Sequence, residues 1–384
     1  MSHLARTSNL ALRLVTGASL GMLAFTGQAA AQANVVATIP AVHSVVSGVM
    51  GTTATPHLLV SGAASPHTYS LKPSNAQALA DSQLVVWVGP QMEAFLDGEL
   101  KTLAPDASVV TMLSLDDAVT HSIRVGGLWD AHDHSAHGGH DDHGDEHHGE
   151  EEHSDHKGHD EHAGHDDHDH DKHAHDEHAH DDHDDHKDHA KHDDHTSHDE
   201  HASHDEHAHE DDADVDAHMW LDPRNAIVLS AAVKGELARI DPDNAATYEQ
   251  NHAAQVAMLE ALDTEVAGSL EAVADVPFIV FHDAYQYLEA RYELSSVGSI
   301  TVSPEVAPGA ARVRAMKERI QERNAHCVFA EPQFKPSILE AVIEGTDAKS
   351  GVLDPVGADI EPGPQMYPQL VRKLAADLTA CLGS

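Results

Sequence analysis

Short runs of apolar, often β-branched residues recur through the first part of the chain, each bounded by Pro, Gly or Asn. Runs of this length and composition are typical of buried strands. About 20 to 27 residues separate the start of one run from the next, which leaves room for a crossover helix. We therefore expect a parallel sheet with helices on its faces. The predicted strands are 35–40, 57–62, 84–90 and 108–113.

A second set of strands and helices follows in the last part of the chain. Its predicted strands are 276–283, 295–300, 326–332 and 350–355, and its clearest helices are 310–322 and 365–382. The pattern predicts an α/β fold with two lobes, each containing a mostly parallel sheet flanked by helices.

Two Asp-Pro pairs between these sets mark helix starts, because Asp is a good N-cap and Pro suits the first helical position. They are Asp222-Pro223 and Asp241-Pro242. From the second pair, apolar residues recur every three or four positions to about Val273. A helix of roughly thirty residues is unusually long for a globular protein. One long rigid helix that joins the two lobes would explain it.

Residues 130–214 break with both patterns. They contain almost no large apolar residues, so they cannot bury enough surface to offset the entropy of ordering, and we predict a disordered insertion. The predicted organisation is a signal peptide at 1–33, a first lobe of 34–129 and 215–240, the insertion, a linker helix at 241–273 and a second lobe at 274–384.

The insertion holds 28 of the 37 histidines, with 33 Asp and Glu and only 4 Lys. Imidazole and carboxylate groups on a flexible chain are expected to bind several divalent ions weakly. A solvated acidic linker is the alternative. The remaining chain is moderately acidic and has no patterned basic surface, which argues against a nucleic-acid partner.

The N-terminus has the features of a cleavable export signal. Arg6 and Arg13 provide a basic start, an apolar run covers 14–25, and Ala31-Gln32-Ala33 offers a cleavage site. The run is too short to span a bilayer, although an uncleaved anchor is the alternative. No cysteine lies nearby to carry a lipid, so we expect a freely diffusing periplasmic protein.

The chain has two cysteines, Cys327 and Cys381. In an oxidising compartment we expect them to be paired, and two buried free thiols are the alternative. Closing a loop of this length stabilises a fold by about 4 kcal/mol in the chain-entropy model.

Three histidines outside the insertion stand apart by position: His67 follows a predicted strand, His218 precedes a helix cap and His282 ends a strand. Ligands of α/β folds collect at the carboxyl ends of strands. Three imidazoles there suit Zn²⁺, Cu, Ni or Fe and leave a fourth position open. Asp354 could fill that position or orient a histidine. Taken singly, each residue also fits an ordinary polar, turn or cap role.

Seven motifs in order carry a family resemblance: VATIPAVHSVV, SGAASPHTYSLKPS, LVVWVGPQMEAFL, AHMWLDP, VFHDAYQYLEARY, CVFAEPQF and GVLDPVG. Outside the insertion, the mature chain resembles ZnuA-like periplasmic zinc-binding proteins, the solute receptors of high-affinity zinc ABC transporters within the metal-binding cluster of periplasmic binding proteins. The resemblance implies two α/β lobes joined by a long rigid helix. It places the zinc ligands on His67, His218 and His282, and the disulfide on Cys327 and Cys381.

Two positions refine what the resemblance implies. Manganese-binding relatives carry a carboxylate at the position of His282, so a third imidazole favours zinc. Some members have a glutamate just before the first ligand, where this chain has Pro66. The fourth ligand is therefore water or Asp354.

The expected function is capture of one tightly bound Zn²⁺ in the cleft by a monomer, and delivery to a membrane permease driven by a cytoplasmic ATPase. The histidine-rich insertion would collect or buffer zinc at weak sites. Alternatives are nickel or manganese specificity within the same transport class, and a periplasmic zinc buffer or chaperone. A zinc hydrolase needs a general base near the metal. The sequence has no HExxH motif or similar pair, so we expect no enzyme.

Overall fold

The computed structural model describes residues 32–127, 129, 215–301, 306–334 and 336–384. The predicted histidine-rich insertion at 130–214 and all but the last two residues of the predicted signal peptide lie outside the described residues. In the described part, no helix is long and apolar enough to cross a membrane.

The first sheet has four parallel strands in the order β2-β1-β3-β4. Their bounds are Val35–Ala37 for β1, His57–Leu58 for β2, Leu84–Trp87 for β3 and Ser108–Thr111 for β4. All four predicted strands are confirmed, but each is shorter than its apolar run, because the run continues into the loop at the carboxyl end of the strand.

The second sheet repeats this arrangement with four parallel strands in the order β6-β5-β7-β8. The bounds are Phe278–His282 for β5, Ser296–Thr301 for β6, Cys327–Ala330 for β7 and Lys349–Val352 for β8. In each sheet the first strand has the second strand on one side and the third on the other. The chain therefore reverses direction across the sheet, and a crevice opens at the carboxyl ends of the first and third strands.

Helices cover the faces of both sheets. In the first part of the fold these are α1 Pro40–Met50, α2 Pro73–Ala80, α3 Glu99–Leu103, α4 Pro223–Ile240 and α5 Ala245–Leu270. The second part has α6 Gln286–Tyr292, α7 Ala310–Arg323, α8 Pro336–Ile343 and α9 Met366–Leu382. As predicted, the Asp222 carboxylate caps α4 by accepting the N–H of Arg224.

The predicted long helix is confirmed as α5, with 26 residues and a 3₁₀ turn at either end, Pro242–Asn244 and Glu271–Val273. It packs against α1, α4 and α9. One buried position on α5 is polar. Gln255 donates to the carbonyl of Val45 and accepts from Ser230 Oγ, and Gly48 makes room for it, since a Cβ there would lie 2.4 Å from Gln255 Nε2.

A single apolar core includes residues of both sheets and of the helices α1, α4, α5 and α9, and two smaller clusters cover the outer faces of the sheets. The predicted disulfide is confirmed. Cys327 at the start of β7 is bonded to Cys381 near the end of α9. The last helix is thus tied covalently to the second sheet.

Candidate metal centre

Three histidines that are far apart in sequence meet at the carboxyl edges of the two sheets. His67 lies in a 3₁₀ turn after β2, His218 immediately precedes the turn that leads into α4, and His282 is the last residue of β5. The Nε2 atom of His218 lies 3.2 Å from that of His67 and 3.3 Å from that of His282. One ligand atom from each ring fits within a span of 4.8 Å.

Two buried carboxylates set the orientation of two of these rings. Nδ1 of His218 lies 2.7 Å from Asp216 Oδ1, and Nδ1 of His282 lies 2.6 Å from Glu331 Oε1. A carboxylate accepts, so Nδ1 carries the proton in both rings and the Nε2 lone pair faces the centre. Among the described residues, no such partner holds Nδ1 of His67, which is also the most exposed of the three histidines.

The walls of the site are largely apolar. Trp220 donates its Nε1–H to the carbonyl of Pro355, and Phe334 stacks on Phe281 with 4.5 Å between ring centroids. The space enclosed beside the histidines is about 20 Å³, enough for one water-sized particle. The lining residues are Ser65, Pro66, His67, His218, Trp220, His282, Glu331, Gln333, Phe334, Pro355 and Val356.

Burial and charge act differently on the three rings. Burial, together with the nearby imidazoles of His218 and His282, lowers the pKa of His67 to about 2, so this ring is neutral at physiological pH. Burial alone would lower the pKa of His282 as well, but the charge and hydrogen bond of Glu331 outweigh it and raise that pKa. For Asp216, the contacts with His218 overcome burial and lower the pKa, which keeps the carboxylate ionised.

Comparison with known proteins shows which family the chain belongs to. The sequence profile of the family described as zinc-uptake complex component A, periplasmic, matches residues 35–381. The chain belongs to this family. It is 42% identical over 367 residues to the high-affinity zinc uptake system protein ZnuA of Brucella abortus, an alignment that covers 95% of this chain and 97% of that protein. The protein of the same name from Paracoccus denitrificans is 36% identical, and the alignment covers 97% of this chain and 98% of that protein.

Solved structures show the same fold for family members and for other metal-binding proteins. A crystal structure of ZnuA has a TM-score of 0.61 at 21% identity and covers 90% of this chain and 98% of its own. A ZnuA deletion mutant with zinc bound has a TM-score of 0.60 at 20% identity, with coverages of 90% and 96%. The protein FpvC of Pseudomonas aeruginosa in complex with Mn²⁺ has a TM-score of 0.62 at 15% identity, with coverages of 92% and 99%.

Asp354, the fourth residue singled out in the sequence, lies beside the site but has other partners. It is buried and follows β8. One carboxylate oxygen accepts from Gln333 Nε2 at 2.9 Å and from the N–H of Val356 at 3.1 Å, and the other accepts from the N–H of Ala358 at 2.6 Å. These bonds order the loop that supplies Pro355 and Val356 to the wall. Whether Asp354 also binds metal stays a prediction.

The sequence did not lead us to Asp216 and Glu331, although the position of each residue indicates a role beside a histidine. Asp216 lies two residues before His218, close enough for a local hydrogen bond. Glu331 directly follows β7, the strand beside His282. Polar residues at the carboxyl ends of neighbouring parallel strands face the same crevice, so the position of Glu331 could have been predicted once the strand order was known.

Proposed function

We propose that this protein is the periplasmic receptor of a zinc uptake system, which captures Zn²⁺ with His67, His218 and His282. The spacing of the Nε2 atoms carries this proposal. Two nitrogens bound tetrahedrally to zinc at 2.0–2.1 Å lie about 3.3 Å apart. The separations of 3.2 and 3.3 Å from His218 to the other two rings match this value.

The chemistry of the ligand set supports zinc over manganese. Three imidazole nitrogens suit zinc, whereas Mn²⁺ favours carboxylate and water oxygens in an octahedral shell. The carboxylates near the site, Asp216 and Glu331, are turned toward Nδ1 atoms and not toward the centre. Imidazole also suits nickel, so the metal preference is tested directly below.

A water molecule is the fourth ligand in this proposal. Pro66, which precedes the first histidine, has no ligand atom in its side chain, and both oxygens of Asp354 already accept hydrogen bonds from the protein. Water in the fourth position leaves three protein bonds to break when the ion is released.

Delivery requires a membrane partner, which we propose to be an ABC-transporter permease with its cytoplasmic ATPase, served by a monomeric receptor. The long helix α5 contacts α1 and α9, which cover different sheets, and the lobes share one core. This packing favours release by small shifts of loops over a wide hinge motion. His67 is the natural ligand to move first, since no carboxylate holds its Nδ1 among the described residues.

Family membership argues against the hydrolase alternative, because an uptake component binds its cargo without converting it. A role as a zinc buffer remains a separate hypothesis for the insertion at 130–214, whose composition favours additional weak zinc sites.

The test is metal binding by the full chain, measured by competition with a chelator that keeps free metal too low to fill weak sites. We expect zinc to be preferred over nickel and manganese, and His67→Ala, His218→Ala and His282→Ala each to lose at least about tenfold in zinc affinity, or about 1.4 kcal/mol. His57→Ala is the control, since its ring bonds Asn75 outside the cluster. Unchanged affinity in all three cluster variants would refute the site.

A further inference from the structure

The segment 119–127, called the strap below, crosses from the first lobe to the second. At its start, Val119 donates its N–H to Asn225 Oδ1 at 2.7 Å and accepts at its carbonyl from Asn225 Nδ2 at 2.9 Å. Asn225 belongs to α4. Two residues later, the N–H of His121 donates to the hydroxyl of Tyr287, which belongs to α6. From this point the strap follows the second lobe.

The far end of the strap covers the open edge of β6. The N–H of Ser299 donates to the carbonyl of Gly127 at 3.0 Å, and Arg312 donates to the carbonyls of Gly126 and Gly127 at 2.9 and 2.8 Å. Gly127 has φ +62°, and a Cβ there would lie 2.3 Å from Arg312 Nη2. The positive φ favours glycine, and an added Cβ would displace the end of the Arg312 side chain.

Arg124, in the middle of the strap, joins two carboxylates of the second lobe, the half-buried Asp283 and the buried Glu289. Its Nε lies 3.0 and 3.1 Å from the two oxygens of Asp283, its Nη2 also bonds Asp283, and its Nη1 lies 2.6 Å from Glu289 Oε2. The guanidinium lies 3.6 Å from the ring centroid of Trp129. Asp283 directly follows His282, so the arginine holds the chain next to one metal ligand.

The strap also holds the segment that leads to another metal ligand. Val215 forms an antiparallel bridge with Ser122, and the N–H of Asp216 donates to the carbonyl of His121 at 2.8 Å. The hydroxyl of Tyr287 donates to the carbonyl of Asp216 at 2.7 Å. Asp216, which orients His218, is thus fixed by the strap and by the second lobe together.

We propose that Arg124 is a positioning residue that holds His218 and His282 at the separation that zinc requires. The inference rests on the proposed function and adds a source of metal specificity to it. Arg124 acts on His282 through Asp283, and on His218 through the strap and Asp216. Zinc needs short bonds in a tetrahedral arrangement, whereas manganese accepts a larger shell with oxygen ligands. Loosening the strap should therefore weaken zinc binding more than manganese binding.

Arg124→Lys in the full chain tests this, because lysine keeps the charge but loses the planar fork that binds a carboxylate with two bonds. Zinc and manganese dissociation constants are measured against a chelator, and the visible absorption of bound Co²⁺ reports the coordination geometry. We expect zinc affinity to fall by about tenfold, the lower end of the loss when partners of metal ligands are removed. Manganese affinity should fall less, and the tetrahedral cobalt absorption should weaken.

Arg291→Lys is the matched control. Arg291 binds Asp263 through the same fork and lies outside the residues that line the pocket, so its variant should bind zinc normally. Zinc affinity and a cobalt spectrum that stay unchanged in Arg124→Lys would overturn the proposal, and so would an equal loss in Arg291→Lys. A natural chain that does not bind zinc would refute the proposed function instead.

If Arg124→Lys does not fold in metal-free buffer, a pair of glycine variants tests whether the strap controls zinc binding. Gly126 and Gly127 have φ values of +87° and +62°, but a Cβ at Gly126 meets nothing within 4 Å. Both variants strain the backbone, but only in Gly127→Ala does the added Cβ also clash with Arg312 and disturb its hydrogen bonds to the strap. Gly127→Ala should weaken zinc binding more than Gly126→Ala does. Equal zinc affinities in the two variants would overturn the proposal.

Discussion

Nδ1 of His282 lies 2.6 Å from Oε1 of Glu331, and the two residues stand at the carboxyl ends of adjacent parallel strands, β5 and β7. These are the first and third strands of the second sheet, where the chain reverses direction across the sheet. The crevice at such a point is where α/β folds bind ligands. Here one strand supplies a ring of the proposed zinc site, and its neighbour supplies the carboxylate that orients this ring.

Glu331→Gln should weaken zinc binding by about tenfold. The negative charge of Glu331 stabilises the N–H of His282 and makes this ring a better ligand, and the amide of glutamine lacks that charge. Asp216→Asn should act in the same direction on His218. Competition titration of both variants measures the effect, with Glu340→Gln, an exposed residue of α8, as the control. Glu331→Gln with the affinity of the natural chain would show that the hydrogen bond serves packing alone.

Asp354→Ala should weaken zinc binding only modestly if water completes the zinc shell. The variant removes three hydrogen bonds that order the loop of Pro355 and Val356, so some loss is expected. The comparison is with His282→Ala under the same conditions. A loss as large as that of the histidine variant would make Asp354 a direct ligand.

The first sheet has a buried glutamate at the corresponding place, between the ends of β1 and β3. Glu93 is fully buried, and its carboxylate accepts from the Thr38 hydroxyl and from the N–H groups of Val88 and Gly89. Burial raises its pKa to about 7, and the hydrogen bonds only partly oppose this. Unlike Glu331, this glutamate has no histidine partner among the described residues, and its hydrogen bonds join the loops that follow β1 and β3.

A raised pKa in the folded state gives the pH dependence a definite sign. The contribution of Glu93 to the free energy of unfolding is fully present below about pH 4.5 and is lost as pH rises to about 7, by up to roughly 3 kcal/mol. Urea unfolding in EDTA at pH 5, 6, 7 and 8 should show that Glu93→Gln loses this dependence. Glu99→Gln, at an exposed site, should keep it. A stability difference between the natural chain and Glu93→Gln that is constant with pH would contradict the assignment.

Much of the fold could be predicted because its signals are local. Apolar runs bounded by turn residues located all eight strands, and the Asp222-Pro223 and Asp241-Pro242 pairs marked the start of α4 and of the long helix. The apolar pattern did not predict one buried residue of α5. Gln255 is buried although it is polar, because its amide finds partners on α1 and α4.

The three histidines could be singled out for the same reason, since each lies next to a strand end or a helix cap. The network around them could not be predicted. Arg124 is 159 residues from Asp283 and 165 from Glu289 in sequence, and only the path of the strap brings these residues together. No local pattern reports a contact of that kind.

The insertion at 130–214 should add weak, pH-dependent zinc sites without changing the affinity of the cleft. Histidine must be neutral to bind metal, and an unperturbed imidazole titrates near pH 6.5. Protonation of its 28 histidines would nearly cancel the excess of 33 carboxylates over 4 lysines. Ligand capacity and attraction for cations are therefore lost together as pH falls. With three ligands per ion, the segment could hold roughly nine zinc ions at most.

Calorimetry on the intact chain and on a variant lacking 130–214, at pH 7.5 and pH 5.5, measures these sites separately from the cleft. Weak sites should be present only in the intact chain and only at pH 7.5, because each ion must order several residues of a segment with little apolar surface to bury. The cleft should fill first in both proteins. If the insertion collects zinc, its deletion should slow zinc acquisition only when zinc is scarce. An intact chain that binds a single ion at pH 7.5 would reduce the insertion to a solvated acidic linker.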